Sequence, residues 1–103
     1  MARLIRDCRG ETVQLTDDRV QHVVSQHPEV ASLGVQAIGD ALMQPDAIIM
    51  LASGDRLYYR YYRGTEVGDK FICVVVKSIA EFVVTAYMTD RQKKGVRVWP
   101  VTT

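Results

Sequence analysis

The chain has 103 residues, 48% of them hydrophobic and 24% charged, and a formal net charge of +1. That length supports one small core, the apolar fraction excludes a disordered chain, and the near-zero net charge argues against a strongly basic nucleic-acid binder. Unbroken apolar runs such as residues 71–76 are no longer than a strand, so no membrane span is expected.

The average charge hides an asymmetry. Residues 1–50 carry four basic and seven acidic groups, residues 51–103 nine and five. The field over the folded surface is therefore expected to be uneven. The first seven residues contain no apolar leader segment. Cys8 and Cys73 are far apart and match no metal-ligand spacing, so they read as reduced thiols of a cytoplasmic protein.

In chain order, residues 11–15 alternate with period two and predict a short strand. Thr16 reads as a helix N-cap, with Asp17 and Asp18 in the first turn, where the helix dipole favours negative charge. Val20, Val23, Val24 and His27 fall on one helical stripe, and Pro28 ends that helix. Ser32 reads as the cap of a second helix, whose stripe is Val35, Ile38, Ala41 and Leu42 and whose stop is Pro45. Strands are expected at residues 47–51, 56–63, 71–77, 82–89 and 96–99. Two N-terminal helices on one face of an antiparallel sheet of about four to five strands make an α+β fold, in a single domain over residues 1–103. The other sheet face is expected to be open and to carry the site.

Strand parity selects the side chains on that face. Ile72, Val74 and Val76 read as core, which leaves Lys77 opposite them. Phe82, Val84, Ala86 and Met88 read as core, which leaves Thr85 and Tyr87 opposite them. In the tyrosine-rich strand Leu57 favours the odd positions as core, which places Arg56, Tyr58 and Arg60 on the open face. A slipped register would place Tyr59 and Tyr61 there instead. Cations and hydroxyls on one face suit a phosphate, aromatic rings suit a base, and histidine is the side chain best suited to move protons near neutral pH. His22 and His27, five residues apart on a helix, would not share a face. The chain has no zinc-ligand spacing, no phosphate-binding glycine loop and no dinucleotide fingerprint, so neither a metal nor another cofactor is expected.

Several short motifs occur together: His27-Pro28-Glu29 after a capped helix, Gln44-Pro45-Asp46, Tyr58-Tyr59-Arg60, Val74-Val75-Val76-Lys77, Thr85-Ala86-Tyr87-Met88-Thr89, and Lys94-Gly95 before Trp99. In that order they resemble the phage-type branch of the barnase–EndoU–colicin–RelE-like nucleases, over residues 16–99. The resemblance implies a metal-independent endoribonuclease with a toxin-like role, RNA as substrate, and an antitoxin or immunity protein as partner. Catalysis would fall to His27, Lys77, Thr85 and Arg60, and substrate binding to Tyr87, Tyr58 and Arg56. The expected reaction is attack of the ribose 2′-hydroxyl on the adjacent phosphorus, giving a cyclic phosphate. The alternative is an inactive RNA- or protein-binding regulatory module on the same fold.

Overall fold

The computed structural model of the chain describes residues 2–101. It begins with an antiparallel hairpin of β1 (Ala2–Arg6) and β2 (Thr12–Thr16). The residues before Glu11 do not alternate in hydrophobicity, because β1 is exposed along most of its length. Three helices follow: α1 (Asp17–Gln26), α2 (Pro28–Leu33) and α3 (Gln36–Met43). Thr16 caps α1 as its sequence position suggests, its Oγ1 accepting from the Arg19 amide at 3.2 Å.

The second expected helix is two. Ser32 lies inside α2 and caps nothing; the break falls at Gly34, whose φ of +113° is open to glycine and strained for other residues. α3 then starts at Gln36, and its N-cap Val35 makes no side-chain cap bond. The helices also follow a hairpin rather than opening the chain.

The main sheet has five strands, β3 (Ala47–Met50), β4 (Arg56–Thr65), β5 (Gly68–Val76), β6 (Val83–Thr89) and β7 (Val96–Trp99), in the order β6-β5-β4-β3-β7 with antiparallel neighbours. Ile48, Tyr58, Val74 and Ala86 share one rung. They face the helices and pack with Val23, Val30, Ile38 and Leu42. A bulge in β6 leaves Val84 without a rung, since Val76 pairs with Val83 and Val75 with Thr85. Val83 therefore turns into the core, where simple alternation from Ala86 would have put Val84. No helix among the described residues is long and apolar enough to cross a membrane.

Asp7 ties the hairpin to the sheet. Its residue is 5% exposed. Oδ2 accepts from the Tyr58 hydroxyl, while Oδ1 accepts from the Arg9 and Glu11 amides at 2.8 and 2.9 Å. Burial pushes the carboxyl up, but the Tyr58 hydroxyl, those two amides and the Arg9 guanidinium together bring it below the ordinary value.

The second face is not open. Ile49, Leu57, Tyr59 and Cys73 form a smaller core there, flanked by Leu51, Phe71, Val75 and Tyr87. What covers it follows from topology. β6 and β7 run parallel at opposite edges, so residues 90–95 must cross the sheet. The Lys93 amide donates to the Tyr59 hydroxyl at 2.9 Å, which fixes the crossing on this face. The strap lands tightly at Gly95, where a Cβ would stand 2.6 Å from Ile49 Cγ2 and 2.8 Å from the Met50 carbonyl oxygen. Gly95→Ala is expected to destabilise the protein by about 2 kcal/mol, in the range of an overpacked contact. Urea unfolding measures this, and an unchanged midpoint would mean that the strap is not seated here.

Candidate functional site at the edge of β6

His27 owes its position to a break between helices. It is the C-cap of α1 and the N-cap of α2, with φ −133° and ψ 70°, because Pro28 disfavours helical geometry at the residue before it. Its amide still closes α1 on the Val23 carbonyl at 2.8 Å. Its imidazole, 31% exposed, is brought beside β6, with the ring centroid 6.1 Å from that of Tyr87. Glu29, one residue into α2 beyond Pro28, places Oε1 3.6 Å from His27 Nδ1. That spacing is longer than a hydrogen bond and becomes an ion pair only when the imidazole carries a second proton.

The His22 ring lies 6.3 Å from the His27 ring, edge to face. Sequence reasoning missed this pair. The helical count that separates them by about 140° assumes five helical residues, and the non-helical backbone at His27 breaks the count. The Pro28 that ends the helix was the available signal.

Thr85 and Tyr87 share the second face, as the parity of β6 suggests. They pair with Val75 and Cys73. Thr85 Oγ1 is buried without a hydrogen-bond partner. Burial, and then the Cys73 thiol, push the Tyr87 phenol up, so it stays protonated and able to donate. The Tyr59 phenol is pushed up to about 12, by burial first. Both phenols reach the Cys73 thiol, and Lys93 lies close enough to favour its ionised form; burial nevertheless dominates and raises the thiol. Cys8 and Cys73 are both free thiols.

Lys77 follows the last residue of β5 and keeps the parity of Val75 and Cys73. Its residue lies four positions beyond Cys73, about 13 Å along the strand from the Tyr87 rung. Its Nζ is 3.7 Å from Asp55 Oδ2. The Ser78 amide, with Lys77 adding to it, holds the Asp55 carboxyl below its ordinary value. Lys77 thus stands at the far end of the face from His27, with Thr85 between them.

The tyrosine strand takes the slipped alternative. Tyr59 pairs with Cys73 and Leu57 with Val75, so the odd residues face the strap and the even ones face the helices. Leu57 misled because both faces are covered, so an apolar residue did not mark the helix side. Tyr58 is fully buried and bonded to Asp7, which leaves no face for a base. Arg56 is 6% exposed and pairs through Nη1 with Glu81 Oε1 at 3.2 Å. Arg60 donates to the Gln44 carbonyl at 2.7 Å, at the C-terminal end of α3, where a cation suits both the orphan carbonyl and the helix dipole. These three residues belong to the helix side of the sheet, apart from His27, Thr85 and Tyr87.

The assembled cluster has two imidazoles, a carboxylate and a protonated phenol at one rim of the sheet. It can accept a proton at one imidazole, return one from another, and donate hydrogen bonds to an anion. No protein-family model matches the chain, and no curated protein or solved structure matches it significantly.

Proposed function

We propose that this protein is an endoribonuclease of the barnase–EndoU–colicin–RelE-like kind, with its site at the β6 rim. The observation that carries this reading is the convergence of His27 at the α1–α2 junction, Glu29 of α2 and Tyr87 of β6 on one partly exposed spot. In the proposed reaction His27 takes the proton of the ribose 2′-hydroxyl as that oxygen forms its bond to phosphorus. The bond from phosphorus to the 5′-oxygen breaks, and the leaving oxygen gains a proton. Glu29 beside Nδ1 orients the ring and leaves Nε2 as the acceptor. His22 supplies a second imidazole within reach for the returning proton. In this scheme the Tyr87 ring stands beside the His27 imidazole, its hydroxyl engaged with the Cys73 thiol, and Thr85 lies on the same face with its Oγ1 buried and without a hydrogen-bond partner among the described residues. Lys77 serves the same strand of RNA at the far end of the face.

Arg56, Arg60 and Tyr58 take no part in this scheme. Their engagement within the fold favours a second reading, in which the face binds RNA or a partner protein without cutting. Incubating purified protein with RNA in excess chelator separates the two. Cleavage by the wild type, lost in His27→Ala, is the expected result. Intact RNA with both proteins overturns the nuclease reading.

A further inference from the structure

The strap over the second face carries an arrangement of charge that the cluster at β6 does not use. Between residues 90 and 97 the chain has Arg91, Lys93, Lys94 and Arg97 against the single acid Asp90. All four cations are exposed. None of the four takes part in the ion pairs seen among the described residues. Asp90, by contrast, is neutralised by Lys70 from β5.

The strap is tied down along its path. It leaves the rung of Thr89, Phe71 and Tyr61 at one corner of the sheet and joins the rung of Val96, Met50 and Arg56 at the opposite one. On the way the chain bends at Asp90–Arg91, where Thr89 Oγ1 accepts from the Arg91 amide at 3.4 Å, and again at Lys94–Gly95. Lys93 is held by its amide to Tyr59, and Gly95 is seated against Ile49 and Met50. Arg97 pairs with Ile49 and so faces the same side. The four cations therefore project from a path whose main chain is held at Lys93, Gly95 and Arg97.

Flat surface accompanies the strap at both ends. At its start Tyr61, 43% exposed, stands edge to face with Phe71 at 5.1 Å. At its landing a shallow hollow of about 500 Å³ is lined by Met50, Leu51, Ala52, Lys94, Gly95 and Val96. Cations along a strap with an exposed ring and an apolar hollow beside them suit a polyanion whose unpaired bases can stack.

We infer that the strap is the phosphate track for single-stranded RNA, with Arg91, Lys93, Lys94 and Arg97 each holding a backbone phosphate. This rests on the RNA reading of the β6 rim, and it assigns the path by which RNA crosses the sheet. The test uses a labelled ten-nucleotide RNA with 2′-O-methyl groups throughout, which cannot be cut by 2′-hydroxyl attack, so binding is read separately from cleavage. Fluorescence anisotropy from 50 to 300 mM KCl gives the salt slope. Four phosphate contacts predict log Kd against log salt with a slope of about 3, and Lys94→Gln with Arg97→Gln lowers it to about 1.5. Arg91→Gln with Lys93→Gln has the same effect, while Arg3→Gln with Arg6→Gln on β1 leaves the slope unchanged. An unchanged slope in both strap pairs overturns the inference, as does equal strap-dependent binding to phosphatidylserine vesicles. A strap-dependent slope in a protein that cleaves no RNA upholds the track and overturns the nuclease reading. Cleavage with strap-independent binding does the reverse.

Discussion

Replacing His27 by alanine is expected to lower the rate of RNA cleavage about 10³-fold, within the usual range for a general acid–base. The effect should fall on turnover, with little change in RNA affinity, because the imidazole is assigned to proton transfer and the strap to holding the backbone. The fold should tolerate the change. His27 is partly exposed, and its main-chain contribution, the amide bonded to Val23, does not need the ring. A thermal melt close to that of the wild type would exclude unfolding as the cause of the loss. Glu29→Gln keeps the shape and removes the charge facing Nδ1, so a smaller loss is expected. A His27→Ala protein that cuts RNA at the wild-type rate would place the chemistry elsewhere.

Asp7→Ala should produce the largest loss of stability, about 3 kcal/mol, because it leaves the buried Tyr58 hydroxyl and the Arg9 and Glu11 amides without their acceptor. For a domain of this size that corresponds to a fall of about 15 °C in Tm. Tyr58→Phe keeps the ring in the core and removes only one bond, so about 2 kcal/mol is expected. Asp7 also sets a pH dependence. Its carboxyl titrates lower in the folded protein than in the unfolded chain. The stability it contributes is therefore complete above the ordinary carboxylate value near ~4 and is lost as pH falls through the folded value. Melting the wild type and Asp7→Asn between pH 6 and pH 2.5 checks this. The wild type should lose Tm more steeply at the acid end. Parallel curves would show that Asp7 does not carry the dependence.

The elements were legible where one physical signal dominated. The capping of α1 by Thr16, the apolar strand β5 and the final strand β7 lie close to where cap, composition and spacing put them. Three features were not legible, each for a local reason. β1 has no buried face to impose alternation. The helix break at Gly34 depends on a positive φ, and Ser32 beside it offered a competing cap signal. The face of β4 could not be read from Leu57, because the strap covers the second face and gives apolar residues a home on both sides.

The site was legible in part for the same reasons. Thr85 and Tyr87 follow from strand parity, and His27 from its place before Pro28. His22 was hidden by the helical count. The path of the strap was hidden because Lys93 contacts Tyr59 across 34 residues of sequence, a pairing set by sheet order rather than by any local pattern. The charge balance reads differently once the chain is folded. The basic excess of the second half includes four exposed cations on the strap and β7, which a net charge of +1 conceals.

The most direct test of the nuclease reading is the chemical identity of the RNA ends. RNA cut by the wild-type protein in chelator, analysed by mass spectrometry, should carry a 2′,3′-cyclic phosphate on one fragment and a 5′-hydroxyl on the other, and neither should form with His27→Ala. Fragments ending in 3′-hydroxyl and 5′-phosphate, or RNA left intact, would contradict it.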